Sequence, residues 1–261
     1  MNLDLKNKNA LVCGSTQGIG KASAIEIALL GASVTLVARD ENVLKEVVKA
    51  LDVSKNQKHN FIVADFSKPD DLKKKTEEHA RKNIVHILLN NTGGPAGGPI
   101  ADAKSEEFVQ AFSNHLLCNH ILVQAVVGGM KKEKYGRIIN IISTSVKQPI
   151  KGLGVSNTIR AAVASWSKTL AGELGPFGIT VNNILPGATN TGRLKSLQEI
   201  RAKKSGVSLS EEQNEWLKEI PAGRFADASE VANAVAFLAS PAASYINGIN
   251  LPVDGGRLGC L

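Results

Sequence analysis

Short apolar runs rich in β-branched residues alternate along the chain with longer segments of helical periodicity. The runs predict seven strands: Ala10–Cys13, Ser33–Val37, Asn60–Ala64, Val85–Asn90, Arg137–Ile142, Thr180–Leu185 and Ile249–Val253. The periodic segments predict helices, among them Ile19–Leu30, Asp70–Lys82, Glu106–Met130, Ile159–Leu174 and Ser229–Leu238. Almost continuously apolar strands that alternate with helices indicate a parallel sheet covered on both faces. Right-handed crossovers then favour a doubly wound, Rossmann-type α/β fold with a seven-stranded, mostly parallel sheet.

One polar segment interrupts this alternation before the last helix and strand. Residues 193–221 are polar and helical in period. A lid over a binding site is one interpretation, and a surface insertion without function is the other. No repeat or low-complexity linker divides the rest of the sequence, so residues 1–261 are expected to form a single domain.

Composition narrows the class of protein. Hydrophobic residues make up 43% of the chain, yet no run approaches the ~18 apolar residues of a membrane span. The first residues lack the apolar stretch of a secretory signal. The three cysteines, Cys13, Cys118 and Cys260, are too few and too scattered for a disulfide framework or a metal site. The expectation is a cytoplasmic protein that binds neither membrane nor metal.

The net charge of +7 raises the question of nucleic-acid binding. The lysines come in short dispersed runs without interleaved aromatic residues, and aromatic residues make up only 4% of the chain. Little material is therefore present for stacking on bases. Solvated helix faces are favoured over a nucleic-acid surface. The surplus positive charge would still attract a polyanionic cofactor or an acidic substrate.

A glycine-rich turn joins the first predicted strand to the first predicted helix. Its glycines allow a tight turn and a close approach to a pyrophosphate, whose charge meets the N-terminus of the helix. The spacing is Gly-x-x-x-Gly-x-Gly, and its position between strand and helix indicates dinucleotide binding. The residues of this predicted phosphate site are Gly14, Ser15, Thr16, Gln17, Gly18, Ile19 and Gly20.

Four motifs, in order along the chain, resemble those of the short-chain dehydrogenase/reductase family. The glycine turn is the first. Asn90-Asn91-Thr92-Gly93 resembles the family's Asn-Asn-Ala-Gly, residues 181–187 resemble Val-Asn-x-Ile-x-Pro-Gly, and residues 253–256 match its closing Val-Asp-Gly-Gly. The resemblance covers nearly the whole chain and points to the 3-oxoacyl-acyl-carrier-protein reductase-like branch. It implies a homo-oligomer, a tetramer or a dimer, formed through two long helices around residues 104–130 and 153–174.

The resemblance also implies the remaining cofactor contacts. These fall on Asp65, Asn90, Gly93, Pro186, Gly187, Thr189 and Thr191. Asp65 would meet the adenine edge and Asn90 the adenosine ribose, while the two threonines would hold the nicotinamide carboxamide and the pyrophosphate. The alternative for Asp65 is a helix N-cap, although Ser67 is better placed for that role.

The end of the second predicted strand indicates which dinucleotide binds. NAD-binding proteins usually carry a carboxylate there for the ribose 2′-hydroxyl, but this chain has Ala38 followed by Arg39. A guanidinium suits a 2′-phosphate, and Asp40 is interpreted as the N-cap of the next helix. NADP(H) is therefore the predicted cofactor, the alternative being that Arg39 is only a surface charge.

The catalytic positions depart from the family pattern. The family uses a tyrosine, a lysine four residues later, a serine thirteen residues before the tyrosine, and an asparagine on the preceding helix. Ser143 matches the serine, but Ser156 stands at the tyrosine position, Arg160 at the lysine position and His115 at the asparagine position. The cofactor prediction is unaffected, whereas the family's mechanism does not transfer directly.

The substituted side chains still offer chemistry. Ser156 can donate a hydrogen bond but is a poor acid or base at neutral pH. Arg160 keeps a positive charge that could anchor the cofactor ribose and stabilise a developing alkoxide. His115 is expected to titrate near neutrality and could supply a proton, the alternative being a structural helix histidine.

The leading hypothesis is an NADPH-dependent reductase of a carbonyl substrate with a non-standard Ser/Ser/Arg centre. A non-catalytic NADP(H)-binding sensor or assembly partner, and a non-redox lyase or isomerase, are the alternatives. The cations of the polar insertion would favour an anionic substrate, unless they belong to a solvated helix. They are Arg193, Lys195, Arg201, Lys203 and Lys204.

Overall fold

A single parallel sheet runs through the molecule, of which the computed structural model describes residues 1–260. The strand order is β3-β2-β1-β4-β5-β6-β7, and every neighbouring pair is parallel. The strands are β1 (Asn9–Cys13), β2 (Ser33–Ala38), β3 (Asn60–Val63), β4 (Ile87–Asn90), β5 (Gly136–Ile141), β6 (Ile179–Pro186) and β7 (Asn250–Val253). The predicted doubly wound α/β fold and its seven strands are confirmed.

Nine α-helices connect and cover the strands within the described range. They are α1 (Gly18–Leu29), α2 (Glu41–Ala50), α3 (Pro69–Lys82), α4 (Ser105–Phe112), α5 (Cys118–Glu133), α6 (Gly154–Leu174), α7 (Gly192–Ser205), α8 (Leu209–Lys218) and α9 (Ala228–Ala239). The predicted helix 106–130 corresponds to α4 and α5, which a π-helical turn at Ser113–Leu117 joins. No described helix has both the length and the apolar character that crossing a membrane requires.

Two apolar layers fix the helices to the two faces of the sheet. Ile27 of α1, Leu44 of α2 and Val235 of α9 belong to the core on one face. Leu72 of α3 and Leu122 of α5, with residues of α6, belong to the core on the other. Since parallel strands are covered on both faces, their side chains are apolar in both directions, which explains the nearly continuous apolar runs.

The strand order reverses between β1 and β4. From β1 the chain proceeds to β2 and β3 on one side, then crosses back to β4 and continues outward to β7. Connections at such a switch point leave a crevice beyond the carboxyl ends of the strands, where α/β proteins bind ligands.

Helices α7 and α8 occupy the polar segment that the sequence marks as an insertion. They enclose a small apolar cluster of their own, formed by Leu194, Trp216 and Ile220 together with Ala188 after β6. This cluster holds the two helices over the carboxyl end of the sheet, beside the crevice. Whether they act as a lid stays a prediction.

Candidate functional site

A cleft of about 610 Å³ opens at the switch point. The glycine turn, the segments after β4, β5 and β6, and the first turns of α6 and α7 line it. Segments that lie far apart in the sequence therefore meet at the place where the topology predicts a ligand.

The glycine turn closes on itself and on the segment after β4. Gly14 has φ +59°, and a Cβ there would lie 2.6 Å from the carbonyl oxygen of Asn91. A Cβ at Gly20 would lie 2.1 Å from the carbonyl oxygen of Gly14. The Asn91 amide nitrogen donates to the carbonyls of Cys13 and Gly14, both at 3.2 Å. The turn therefore has no room for side chains at Gly14 and Gly20, and its backbone is left free to contact a ligand.

The turn also leaves the start of α1 open to an anion. No acidic residue lies in the first turn of α1, so its positive dipole end is not neutralised. Residues lining the cleft here are Gly14, Thr16, Gln17, Gly18 and Ile19. Ser15 and Gly20, also predicted as contacts, do not line the cleft; Ser15 is buried and donates to the carbonyl of Val37 at 3.4 Å. Their part in the turn is structural.

Charged groups after β2 and β3 mark one end of the cleft. Arg39 is exposed and lines it, and Asp40 caps α2 by accepting from the Val43 amide, as predicted. The Asp65 carboxylate accepts from the amide of Ser67 at 2.9 Å. That bond, together with the charge of Arg39, lowers the pKa of Asp65.

The predicted N-cap role of Ser67 is wrong. Helix α3 begins at Pro69, and the capping position falls on Lys68, which makes no side-chain cap. A lysine side chain has no atom that can accept a hydrogen bond from the first amides of the helix, and Pro69 begins the helix with a φ already suited to it. The Ser67 amide is instead bound by Asp65, whose side chain shapes the turn after β3.

The prediction that the Asn90 side chain faces a ribose is wrong. It is 1% exposed and donates to Asn140 at 2.8 Å. Asn140 in turn donates to Asn183, and Asn183 to Asn250, so the four amides cross β4 to β7 as a buried chain of hydrogen bonds. It is Asn91 that lines the cleft. Asn90, the last residue of β4, thus lies inside the sheet, whereas Asn91, the next residue, lies at the edge where the cleft opens.

The segment after β6 brings the predicted threonines to the cleft. Pro186, Gly187, Thr189 and Thr191 all line it. The Thr191 hydroxyl accepts from the Leu194 amide and so caps α7, which fixes where that helix begins. Gly93, predicted from the motif after β4, lines the opposite wall.

Ser143, Ser156 and Arg160 lie together on the cleft wall formed by β5 and α6. Ser143 follows β5, and its hydroxyl accepts from the Ser145 amide at 3.0 Å. Ser156 is 8% exposed in the first turn of α6, and within residues 1–260 its hydroxyl has no hydrogen-bond partner. Two hydroxyl groups are therefore available to donate to a ligand.

Arg160 carries a buried positive charge without a carboxylate. Its guanidinium donates to the carbonyls of Ile141 at 3.0 Å and Thr92 at 3.5 Å. No ion pair among the described residues includes it. Burial, with repulsion from Arg193, lowers its pKa to about 10, so it remains charged at neutral pH.

His115 is neutral at physiological pH, which contradicts the expectation that it titrates near neutrality. It is 2% exposed, and burial, followed by the charges of Arg160 and Arg193, lowers its pKa to about 2. Its Nδ1 lies 2.5 Å from the hydroxyl of Thr92, so it reaches the cleft only through that residue. Asn114, its neighbour in the π-helical turn, lines the cleft directly. Such turns occur frequently at functional sites.

Two arginines fix α7 against the loops that face it. Arg193 donates to the carbonyl of Pro95 at 2.5 Å, and Arg201 to the carbonyl of Lys151 at 2.8 Å. Those two loops are joined by backbone bonds between Gly98 and residues 152 and 154. Of the cations in the insertion, only Arg193 lines the cleft.

Several lining residues escaped the sequence reasoning. They are Asn91, Thr92, Trp216 and Arg257. The first two belong to the motif after β4, from which the sequence analysis selected the correct turn but chose Asn90 in place of Asn91. Trp216 offered a signal as a large apolar residue within a polar segment, whereas nothing in the sequence places Arg257 beside it, with its guanidinium carbon 5.5 Å from the indole ring.

Comparison with known proteins gives consistent matches over the whole chain. Residues 14–257 match a family model described as enoyl-(acyl carrier protein) reductase. The chain is 35% identical to the 3-oxoacyl-[acyl-carrier-protein] reductase FabG of Vibrio cholerae, covering 97% of this chain and 98% of that protein. The NADPH-dependent reductase BacG of Bacillus subtilis is 30% identical, covering 97% and 99%. L-sorbose reductase of Gluconobacter frateurii, solved with NADPH and L-sorbose, has a TM-score of 0.92 at 30% identity over both whole chains.

Proposed function

This chain belongs to the short-chain dehydrogenase/reductase family, and we propose that it is an NADPH-dependent reductase of small carbonyl compounds. One arrangement carries this function: two serine hydroxyls and a buried, carboxylate-free guanidinium share one wall of the cleft. Reduction of a carbonyl builds negative charge on oxygen, and groups of this kind stabilise it.

The residues of the cleft fit NADP(H). The glycine turn excludes side chains where the pyrophosphate would approach, and the open N-terminus of α1 faces the same space. Arg39 follows Ala38, so the end of β2 itself carries no carboxylate, and Arg39 could bind a 2′-phosphate. The nearby carboxylates of Asp40 and Asp65 each accept from a backbone amide. Relatives named as NADPH-dependent or solved with NADPH support the same cofactor. When bound, NADPH supplies the hydride.

Ser143 and Ser156 would hold the carbonyl oxygen by donating hydrogen bonds. The free hydroxyl of Ser156 needs no rearrangement to do so, and Ser143 would donate its proton outward while it accepts from the Ser145 amide. Holding the substrate this way orients its carbonyl carbon, which lowers the barrier by removing freedom of movement before reaction.

Arg160 would stabilise the alkoxide without giving up a proton. Its pKa of about 10 keeps it charged at neutral pH, and its carbonyl partners fix its orientation. Serine hydroxyls are poor acids. The proton that completes the alcohol therefore comes from water, with Thr92 and the neutral His115 positioned to order the solvent beside Arg160.

A non-catalytic NADP(H)-binding role is the competing function, and one observation favours it. Neither tyrosine of the chain reaches the cleft: Tyr135 donates to the carbonyl of Ala239, and Tyr245 is exposed elsewhere. No phenol can thus replace the family's proton donor at residue 156.

Turnover of serine variants separates the two functions. NADPH oxidation is measured against a broad panel of aldehydes and ketones, first with the parent protein. Ser143→Ala and Ser156→Ala should each lower kcat by about 10²-fold, as loss of an oxyanion donor does. Ser165→Ala, on the exposed side of α6, is the matched control and should not change kcat. Full activity in both active-site variants would contradict the assigned roles. NADPH binding by calorimetry without any carbonyl reduction would favour the non-catalytic role.

A further inference from the structure

Two guanidinium groups converge on the substrate side of the cleft. Arg160 reaches it from α6 and donates to the carbonyl of Thr92, while Arg193 reaches it from the first turn of α7 and donates to the carbonyl of Pro95. Both thus contact the short segment that follows β4. Neither takes part in any ion pair among residues 1–260.

The acidic residues that line the cleft do not neutralise these charges. Asp40 and Asp65 lie after β2 and β3, where each accepts from a backbone amide. The two guanidinium groups contact carbonyls only three residues apart, those of Thr92 and Pro95. The charge of Arg193 also adds to burial in lowering the pKa of Arg160. Placing like charges together costs stability, and a bound anion between them would offset that cost.

The cofactor's own anions have other partners. The pyrophosphate would meet the glycine turn and α1, and the 2′-phosphate would meet Arg39. The nicotinamide ring carries no negative charge. An anion at Arg160 and Arg193 would therefore belong to the second ligand.

Large apolar side chains line the same part of the cleft. Ile150 and Leu153 line it from the loop after β5, and Leu197 and Trp216 line it from α7 and α8. Apolar side chains around a few charged groups favour a ligand with a hydrocarbon body and one anionic end.

From this arrangement, and resting on the proposed reductase function, we infer that the substrate is an oxo acid with an apolar body. Its carboxylate would lie between Arg193 and Arg160, with its ketone against Ser143 and Ser156. Arg160 follows Ser156 by one helical turn, so carboxylate and ketone must be close together in the substrate. Arg193 is then the specificity-determining residue, since Arg160 also serves the reacting oxygen.

A matched pair of probes tests this inference. The parent protein and Arg193→Gln are assayed with 2-oxo-4-phenylbutanoate and with its ethyl ester, which keeps the carbon skeleton and removes the charge. Arg193→Gln should raise KM for the acid by about 10- to 100-fold, the loss expected for a charge-assisted hydrogen bond. KM for the ester, which has no charge to lose, should rise much less than KM for the acid, because only the contact of Arg193 with the carbonyl of Pro95 is lost. Kd for NADPH should stay close to that of the parent protein. Lys195→Gln is the matched control, because Lys195 is exposed on the same helix and does not line the cleft.

Binding distinguishes failure of the subsite from failure of the reductase. Calorimetry follows the acid binding to the protein with NADP⁺ present. Binding that depends on Arg193, without reduction of any carbonyl, would retain the subsite and reject the reductase. Reduction of the ester with no preference for the acid would reject the subsite alone. A weaker NADPH affinity in Arg193→Gln, with an unchanged preference for the acid, would assign the arginine to the cofactor and overturn the inference.

Discussion

A few substituted side chains decide what this site can do with charge and protons. The family pairs a tyrosine phenol with a lysine one helical turn later, whereas this chain has Ser156 and Arg160 at those two positions. The arginine keeps the positive charge but does not titrate in the neutral range, so transition-state stabilisation is retained while the tuned acid is lost. The cofactor side of the cleft keeps its family features, which is why binding and catalysis can be tested separately.

Arg39 should determine the preference between dinucleotides. We expect NADP(H) to bind more tightly than NAD(H), and Arg39→Ala to narrow the difference by at least about 10-fold, because a charge-assisted contact to the 2′-phosphate is lost. Calorimetric Kd values for both cofactors provide the check, with Lys45→Ala on α2 as a control that leaves the cleft intact. Equal affinities in the parent protein would contradict the assignment.

His115 should make the folded state sensitive to acid. Its pKa is about 2 when folded and near 6.5 when exposed, so below pH 6.5 the unfolded chain takes up a proton that the folded chain does not. Stability contributed by the neutral imidazole is therefore complete above pH 6.5 and falls by up to about 1.4 kcal/mol for each unit of pH below it. The free energy of unfolding, measured in urea at several pH values, should depend less steeply on pH in His115→Asn. An unchanged dependence on pH would refute the assignment.

At the scale of elements, α7 and α8 are the part of the site held by the fewest anchors. Their small cluster around Trp216 is separate from the two main layers, and Arg193 and Arg201 attach them to the facing loops through single carbonyl contacts. Segments held in this way open at lower free energy than the core of a domain. Such an element can admit a substrate and then exclude water.

Hydrogen exchange should separate a lid from an inert insertion. Without ligand, residues 192–218 should exchange faster than α9, which packs against α1 and the sheet. Adding NADPH and the oxo acid should slow exchange in 192–218 and leave α9 unchanged. Arg201→Ala should increase exchange in the free protein. Equal protection of both regions without ligand would favour the surface insertion.

The elements themselves were largely predictable from the sequence, because apolar runs and helical periods follow directly from burial on both faces of a parallel sheet. Side-chain direction at the strand ends was not. Asn90 and Asn91 differ in sequence position by one, yet one lies in the buried amide chain and the other in the cleft. The neutral state of His115 depends on the π-helical turn that buries it. The hydrophobic pattern of the sequence does not distinguish this turn from the α-helix around it.

At the scale of the whole molecule, the doubly wound order brings segments that are distant in the sequence to one cleft. Three of the four motifs lead to this cleft, because each reaches the carboxyl end of a strand and parallel strands end at the same edge, whereas residues 253–256 do not line it. The position of Arg193 and Trp216 over that edge needed the structure, since the insertion could pack against either side.

The family resemblance implies assembly through α4, α5 and α6, and the surface of α4 has a matching feature. Val109 and Phe112 are exposed large apolar residues on this helix. Native mass spectrometry should therefore detect a dimer or tetramer, and Val109→Glu with Phe112→Glu should shift it toward the monomer, because charge is costly in an apolar interface. Leu29→Glu, exposed on α1, is the control. A monomeric parent protein would rule out this assembly.

Transfer of an isotope from cofactor to product tests the reductase function most directly. NADPH deuterated at the transferable position of the nicotinamide is incubated with the protein and 2-oxo-4-phenylbutanoate or its ethyl ester, and the product is analysed by mass spectrometry. We predict a hydroxy product that carries one deuterium on the former carbonyl carbon, with label transfer lowered in Ser156→Ala. If the protein binds NADPH yet no labelled alcohol forms from these or any other carbonyl compound, the chain is not a carbonyl reductase.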